Sequence, residues 1–497
     1  MIPESFIQSN IQGAAFIAPE IILAAAMLIL LLAGVILPYW RHRLVFTVLA
    51  IGGLAGSLLP LWKLPTPEPN LTYLSELFVW DWLTFFFKPF FVVAGAFVIL
   101  LTQGSREIDN MEYNECTILV LAVTMGMMLL VASTDLLMIY LAFETMGILS
   151  YLLVGIKARD LYSGEAALKY VLYGAFTSGI MLFGFSLLFG LAGTTDLLEI
   201  SRQVAAASQN PQDKILLIVA VLFFLAGLLF KTASFPFHFW CPDVYQGAPT
   251  PITAFLSVGP KAAGFALFIR LFYPLFALAG GTGTYEAIAG LDWPSVLALV
   301  SAITMTLGNL AAIYQNNLKR LLAYSSIAHA GYLFMGIVAL SDFGLRAVVF
   351  YLVVYLFMNL GAFGVVTLVA NAGGSEEIDS YRGLGSRAPY ICVAMAVFLF
   401  SLIGLPPFAG FVGKVYLFAA VIHKKIYWLA AVAALNTVIS LYYYLRVVKA
   451  MFLEKPTEAI QIRVSLGSQA LLLALLVPTL GLGIYWQPLA RVVGGMF

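Results

Sequence analysis

The sequence predicts an all-α polytopic membrane protein with about 14 transmembrane helices. Hydrophobic residues make up 62% of the 497 residues, charged residues only 10%, and the mean hydropathy is +0.96. So few charges cannot cover the surface of a soluble protein. Apolar stretches of about 20 residues recur along the whole chain, and this is the length that an α-helix needs to cross a bilayer. The alternating ten-residue segments typical of membrane β-barrels do not occur.

Only short polar connections separate the apolar stretches, so no soluble domain is predicted. The predicted spans lie near residues 16–38, 44–62, 80–102, 116–133, 135–156, 165–192, 213–232, 250–278, 295–315, 321–340, 346–371, 389–422, 427–452 and 467–487. The predicted organisation is an N-terminal three-helix segment (1–112), a five-helix repeat (113–280), a second, inverted five-helix repeat (290–455) and a C-terminal transmembrane helix (456–497).

Two lysines suggest this internal repeat. Lys231 and Lys414 each lie in the fourth span of their set, beside a break that contains proline or glycine: KTASFPF and GLPPFAGFVGK. Because five spans is an odd number, the second copy must cross the membrane in the opposite orientation. Inverted repeats with interrupted helices at matching places point to a transport site near the midplane. The alternative is a chance match of two lysines.

Positive charges in the connections predict the orientation. Arg41 and Arg43 follow the first span, and alternate later connections carry most of the other basic residues: Arg106, Lys157, Arg159, Lys319, Arg320, Arg382, Arg387, Lys455 and Arg463. The positive-inside rule places these connections in the cytoplasm and both termini outside. Glu4 replaces the basic start of a cleavable signal, so none is predicted.

Composition and spacing give no support to several other classes of function. A net charge of +1 predicts no nucleic-acid partner. Cys116, Cys241 and Cys392 are scattered, which favours neither an iron–sulfur cluster nor disulfides. No histidine pair has metal-ligand spacing, and no glycine-rich phosphate loop occurs. We therefore expect no metal or cofactor bound by this chain.

Ionisable residues inside the apolar spans are the candidate functional groups. An ionised side chain at the bilayer centre costs several kcal/mol unless it is neutral, paired or hydrated. Pro236 is expected to break the helix just after Lys231, and such a break exposes backbone carbonyl groups that need hydrogen-bond partners. The six candidates are Glu144, Lys169, Lys231, Lys261, His329 and Lys414.

Four of the six candidates have a structural alternative. For Glu144 the alternative is a static ion pair between helices. Lys169 has Glu165 one turn away as a partner, and Lys231 is explained by a side chain that reaches towards the membrane surface. His329 is explained by a buried structural histidine. His238 lies in an aromatic stretch and is expected to be structural, at the membrane interface.

Chemically, these groups suit a proton relay. A desolvated lysine gives up its proton readily, and histidine exchanges protons near neutral pH. If Glu144 pairs with a lysine, separating the two lowers the affinity of that lysine for a proton. Gly410 and Gly413 are expected to leave space for water beside Lys414. Moving one charge against about 100 mV needs about 2.3 kcal/mol, so a partner or an exchanged ion must supply energy.

Three long segments carry a resemblance to a known family: FPFHFWCPDVYQGAPTPITAFLSVGPK, NLKRLLAYSSIAHAGY and SLIGLPPFAGFVGKVYLF. Together they resemble the antiporter-like membrane subunits of respiratory complex I, the proton-translocating NADH-quinone oxidoreductase, and most closely the N type (subunit 2). A lysine at 414 resembles the N type more than the M type. The resemblance covers nearly the whole chain, most strongly from Asp135 to Lys455.

This resemblance implies fourteen helices with inverted five-helix repeats and a proton channel whose key groups match Glu144, Lys231, Lys261 and Lys414, with Lys169 as a neighbour. It implies no redox centre in this chain: NADH, FMN, iron–sulfur clusters and quinone are expected in partner subunits, alongside antiporter-like paralogues. A bacterial cytoplasmic membrane is favoured over a thylakoid membrane. The alternative functions are a subunit of a multi-subunit cation/proton antiporter and a structural scaffold.

Overall fold

A computed structural model describes residues 13–36, 43–68, 71–281, 283–456 and 465–496. Within these ranges most of the chain is helical and only four short strands occur, which confirms the all-α class. Thirteen helices are long and apolar enough to cross a membrane, and a fourteenth span is counted if the short helical turns near 378–386 are joined with the helix that follows. Glu4, Arg41 and Arg463, on which the signal and orientation predictions partly depend, lie outside the described residues.

The helices are numbered in chain order. They are α1 (Ala18–Ile36), α2 (Arg43–Leu58), α3 (Trp82–Gly104), α4 (Asn110–Ala132), α5 (Leu136–Val154), α6 (Leu161–Ala192), α7 (Leu197–Ala207), α8 (Pro211–Lys231), α9 (Trp240–Gly247), α10 (Thr250–Phe276), α11 (Trp293–Ile313), α12 (Leu318–Val338), α13 (Asp342–Asn371), α14 (Pro389–Ile403), α15 (Ala409–His423), α16 (Tyr427–Leu453), α17 (Leu466–Ile484) and α18 (Gln487–Gly494). Two antiparallel hairpins pair β1 (Thr72–Tyr73) with β2 (Phe78–Val79) and β3 (Ala277–Ala279) with β4 (Tyr285–Ala287).

Short polar side chains set where the long helices begin. The side chain of Asp135 accepts hydrogen bonds from the backbone N–H groups of Leu137 and Met138 at the start of α5. Asp160 and Asn317 cap α6 and α12 in the same way. Such caps satisfy N–H groups that have no partner within the helix. The helices therefore begin at the polar connections that the sequence places between apolar spans.

Contacts between connections divide the molecule into two ends. At one end, which we call the basic end, the connections 155–160, 314–317 and 372–388 come together, and Asn317 forms a β-bridge with Glu377. At the other, which we call the hairpin end, the two β-hairpins meet the helix turns, as in the bridge between Thr284 and Ser341. The predicted alternation of basic connections therefore corresponds to one physical end of the molecule.

Two of the spans are interrupted where the sequence predicted. Helix α8 ends at Lys231, and α9 starts at Trp240 after an irregular stretch. Helix α14 ends at Ile403, and α15 resumes at Ala409. The two lysines lie on opposite sides of their helix breaks. Lys231 precedes its break as the last residue of α8, whereas Lys414 follows its break, on α15. Both lie deep in the bundle, with 2% and 4% of their surface exposed.

The most buried elements are α10, α12 and α13. Helix α10 is buried along its whole length and packs against α3, α4, α7 and α13. Helix α12 packs against α9, α11, α13 and α15 and is almost as deeply buried. Polar residues on these two helices therefore face protein, not lipid, as expected from the small residues around Lys261. They form the centre of the candidate site.

Candidate proton relay in the membrane interior

Lys231 lies beside Glu144 in the interior. Its ammonium group is 4.6 Å from the ring centroid of Phe143 and next to Gly147, so it faces α5 on both sides of Glu144. Glu144 is half-buried and interacts electrostatically with Lys231. Among the described residues the two form no ion pair within 4 Å, and neither Lys231 Nζ nor Glu144 Oε1 has a hydrogen-bond partner. Glu144 and Lys231 are therefore close together without a direct ion pair or hydrogen bond between them.

Lys261 is held by α12. Its Nζ donates hydrogen bonds to the carbonyl oxygen of Ser326 at 2.8 Å and to the Ser326 hydroxyl at 2.5 Å. Gly264, one turn further along α10, packs against the aliphatic part of Lys231. Lys261 thus stands between the Glu144–Lys231 pair and the polar face of α12.

His329 continues that face one turn beyond Ser326. Its Nδ1 is hydrogen-bonded to the Tyr351 hydroxyl at 2.7 Å, and its Nε2 lies 3.4 Å from the Tyr444 hydroxyl. Tyr444 in turn bonds to Ser325. Hydroxyl and imidazole groups both donate and accept, so such a line can pass protons. His329 is fully connected, which excludes an isolated apolar setting for it.

Lys414 lies at the far end of this line. Its Nζ donates to the carbonyl of Ile403 at 2.7 Å, at the C-terminus of α14, where the helix dipole favours a cation. The ammonium group is 4.6 Å from the ring centroid of Tyr332, which follows His329 by three residues on α12. A cleft of about 400 Å³ between α15 and α16 reaches Lys414 from the side.

The expected role of two glycines beside Lys414 is wrong. A Cβ at Gly410 would overlap the carbonyl oxygen of Ser401, and one at Gly413 would lie 2.6 Å from Cδ2 of the Tyr351 ring. The space is filled by protein, since these glycines let α15 approach α14 and α13 closely. They position Lys414 against its neighbours and leave no room for water at their own Cα atoms.

Lys169 occupies a different setting from the other five candidates. Its Nζ forms ion pairs with Glu165 at 2.8 Å and with Asp243 at 2.7 Å, and more than a third of its side chain is exposed. Asp243 also pairs with Arg320 at 2.6 Å. The structural alternative that the sequence offered, the pair with Glu165, is therefore present, together with a second partner.

These ion pairs border a cleft of about 360 Å³ at the basic end, which we call the charged cleft. Its lining residues are Lys157, Asp160, Tyr162, Glu165, Ala166, Lys169, Asp243, Gln246, Gly247, Lys319 and Glu376. A hydrogen bond from Lys157 is the main cause that lowers the pKa of the Asp160 carboxyl, which therefore stays ionised near neutral pH. A cleft with this lining admits water and ions.

His238 is buried in the break after α8, which agrees with a structural role for it. It is 2% exposed and packs against the rings of Phe235 and Phe239, 6.1 and 4.3 Å away between centroids. Within the same stretch Trp240 and Tyr245 are buried, whereas Phe239 is 60% exposed. The interruption therefore turns some of these aromatic residues into the bundle and leaves others on its surface.

Further polar side chains lie along the same axis without good hydrogen bonds. Among the described residues, the Tyr245 and Tyr355 hydroxyls and the Asn359 side-chain oxygen have no partner. Asn359 does donate to Ser257, one turn before Lys261 on α10, at 2.5 Å. Buried polar atoms of this kind are usually satisfied by ordered water. The axis therefore contains both protein hydrogen bonds and positions suited to water.

Sequence reasoning missed several charged or polar partners. Asp243, Ser326 and Tyr351 are common residue types in ordinary helical contexts, and only their spatial partners distinguish them. Lys88 on α3 and Glu20 on α1 form a fully buried ion pair at 2.9 Å. A signal was available for this pair, since Lys88 lies in an apolar span directly before Pro89, much as Lys261 follows Pro260.

Metal ligation has no support in the described residues, where no three His, Cys, Asp or Glu side chains cluster in a way that would hold an ion. The three cysteines are buried and free. The candidate side chains themselves are amines, a carboxyl and an imidazole, with tyrosine and serine hydroxyls beside them. These groups hold and transfer protons.

Comparison with known proteins identifies the family. Residues 133–440, more than half of the chain, match the family model of the NADH:quinone oxidoreductase/Mrp antiporter transmembrane region. The NADH-quinone oxidoreductase subunit N of Anaeromyxobacter sp. is 46% identical over 98% of both chains. The chain belongs to the NADH-quinone oxidoreductase subunit N family. Subunit N of Chlorobium chlorochromatii is also similar, at 41% identity over 98% of this chain and 95% of the relative.

Similar chains occur in solved structures of membrane complexes. A chain of respiratory complex I from Thermus thermophilus with bound aureothin is 31% identical, with a TM-score of 0.77 over 95% of this chain and 98% of that chain. A chain of the Mrp complex from Dietzia sp. is 21% identical, with a TM-score of 0.80 over 98% of this chain and 96% of that chain. At this lower identity the likeness shows a shared fold alone. The resemblance drawn from the three sequence segments is confirmed.

Proposed function

We propose that this chain carries protons across the membrane within a NADH-quinone oxidoreductase, through a relay of Glu144, Lys169, Lys231, Lys261, His329 and Lys414. The observation that carries the proposal is the setting of Lys231. Its ammonium group is buried beside a carboxylate, yet it makes no hydrogen bond to the described residues. A structural lysine at this depth would be paired, because an unpaired buried charge is costly. A group that gains and loses a proton needs such a loose environment.

The proposed path joins the candidates in the order in which the bundle places them. Protons from the charged cleft pass Lys169, reach the Glu144–Lys231 pair, and continue to Lys261. From Lys261, Ser326 and His329 lead along α12 to Tyr351 and Lys414. The electrostatic interaction between Glu144 and Lys231 acts as the control: when the carboxylate moves closer, Lys231 holds its proton, and when it moves away, the proton is released towards Lys261.

Partner subunits supply the energy in this proposal. The relay residues perform no redox step, and NADH, FMN, iron–sulfur clusters and quinone belong to other subunits. Coupling reaches this chain through electrostatics and contacts along the membrane arm, where antiporter-like paralogues are its neighbours. Transfer of one charge against about 100 mV needs about 2.3 kcal/mol, which lies within the range of energies associated with partly buried ion pairs.

The proposed location is a bacterial cytoplasmic membrane with the basic end in the cytoplasm. The positive-inside rule supports this orientation, since Lys157, Arg106, Arg320 and Arg382 lie at that end. Phe16, at the start of the described chain, stacks on Tyr73 of the first hairpin. Helix α18 follows α17 at the same hairpin end. Both termini are therefore proposed to be periplasmic.

Substitution of Lys231 or Glu144 by alanine tests the proposal. In the assembled complex in proteoliposomes, Lys231→Ala and Glu144→Ala should strongly reduce the number of protons moved per NADH oxidised. Lys214→Ala is the control, because Lys214 lies on the same helix but at its hairpin end, outside the relay. Proton translocation at the wild-type ratio in an assembled Lys231→Ala complex would overturn the relay. Sodium-dependent proton exchange without NADH would instead favour the cation/proton antiporter alternative.

A further inference from the structure

A layer of aromatic side chains lies between the charged cleft and Lys231. The Tyr170 ring stacks on Trp240 with centroids 4.3 Å apart and planes inclined by 16°. Tyr151 meets Tyr170 edge-on at 4.7 Å, and Phe230 lies 5.2 Å from Trp240. All four side chains are at least nine-tenths buried. We call these four residues the aromatic layer.

The position of the layer follows from the helices that carry it. Tyr170 is the next residue after Lys169, which borders the charged cleft. Trp240 precedes Asp243 by three residues on α9, and Phe230 directly precedes Lys231. On α5, which runs towards the basic end, Tyr151 lies two turns closer to that end than Glu144. Helices α6 and α9 therefore each carry an aromatic residue beside a residue of the charged cleft, and α5 and α8 each carry an aromatic residue and a relay residue.

Three contacts show that the layer is closely packed. Gly174 lies against the Tyr151 hydroxyl, and a Cβ there would overlap it. The same hydroxyl lies beside Gly147, whose Cα region also faces Lys231 Nζ. The indole N–H of Trp240 donates to the carbonyl of Phe230 at 3.1 Å, which ties the two sides of the α8–α9 break together. Tyr151 thus touches the relay on one side and the aromatic stack on the other.

We propose that the aromatic layer is a gate that separates the charged cleft from Lys231 and prevents protons from crossing when the complex is not turning over. This inference rests on the proposed proton relay. A pump whose input side is open to bulk water at all times would short-circuit, and close-packed aromatic rings exclude the water that protons need. Rotation of the Trp240 or Tyr151 ring would admit water, whose share of liquid volume is about 30 Å³.

The layer also explains why Asp243 holds both Lys169 and Arg320. These pairs connect α9 to α6 and α12 across the mouth of the charged cleft. They fix the start of α9, and with it Trp240, against Tyr170. Movement of α9 would therefore open the stack and change the ion pairs together.

The test measures passive proton leak in proteoliposomes that contain the intact complex without NADH. Decay of an imposed pH difference is followed with an internal pH dye. Trp240→Ala should speed the decay about tenfold or more, the factor that a barrier lowered by about 1.4 kcal/mol gives. Trp293→Ala is the matched control, since Trp293 is equally buried and also donates to a backbone carbonyl, that of Phe276 at 2.9 Å, but lies at the hairpin end.

Further variants keep the test decisive. Tyr170→Leu keeps an apolar side chain at this position but removes the stacked ring, so it should also speed the decay of the pH difference. It provides the test if Trp240→Ala fails to assemble. Adding Lys231→Met to Trp240→Ala should remove the extra leak, because the path beyond the gate is then interrupted. A leak at the wild-type level in assembled Trp240→Ala and Tyr170→Leu complexes would overturn the gate. The proposed relay would still stand in that case if Lys231→Ala abolished pumping. The gate and the relay can therefore be refuted independently.

Discussion

Tyr351→Phe removes one oxygen atom from the centre of the relay. The Tyr351 hydroxyl is bonded to His329 Nδ1 at 2.7 Å, and its ring packs against Gly413, the residue before Lys414. Without the hydroxyl, a buried imidazole nitrogen loses its partner, which costs about 1–3 kcal/mol. If that free energy is added to the barrier for proton transfer between His329 and Lys414, this transfer slows about 5- to 150-fold.

The assay compares proton translocation and NADH oxidation by the assembled complex in proteoliposomes. Tyr355→Phe is the matched control, because Tyr355 lies one turn away on the same helix and its ring is 5.2 Å from His329. Its hydroxyl faces Ser326 but makes no hydrogen bond of good geometry, so its removal leaves little unsatisfied. We expect slow pumping for Tyr351→Phe and near-normal pumping for Tyr355→Phe. Wild-type rates in Tyr351→Phe, or equal losses in both variants, would refute a transfer path through this hydroxyl.

Three further predictions concern charged groups elsewhere. Lys88→Met leaves Glu20 buried without its partner, so the complex should lose about 3–5 kcal/mol of stability, which thermal denaturation measures. Adding Glu20→Gln should restore part of the lost stability. An unchanged denaturation midpoint for Lys88→Met alone would contradict the prediction. Lys414→Glu should reduce proton pumping less than Lys414→Ala because an ionisable group remains, and equal complete loss would show that positive charge itself is required. The pKa of Asp160 is lowered, so its pairing with Lys157 stabilises the fold fully above the usual carboxyl pKa and is lost only as the pH falls through the lowered value. The difference in stability between wild type and Lys157→Gln should therefore stay constant from about pH 6 to 8. A clear trend in that window would argue against the pairing.

Some features of this protein follow from local chemistry and could be predicted from the residues in order along the chain. Apolar runs of bilayer length specify helices, and capping residues such as Asp135 mark where they begin. Pro236 and the Pro406–Pro407 pair interrupt the spans beside Lys231 and Lys414. The depth of Lys261 could also be predicted, since it lies near the middle of a long apolar stretch surrounded by small residues. Each of these features depends on neighbours within a few residues.

The partners of these groups depend on tertiary structure. Lys169 has Glu165 on its own helix, which the helical period predicts, but it also reaches Asp243, 74 residues away. Lys261 meets Ser326 and His329 meets Tyr351 only because α10, α12 and α13 pack at particular rotations and depths. The helical period gives the relative directions of side chains on one helix and says nothing about how that helix is turned against others. The sequence by itself therefore determined which ionisable groups enter the membrane, while packing decided which of them are linked and which, like Lys231, stay without a partner among the described residues.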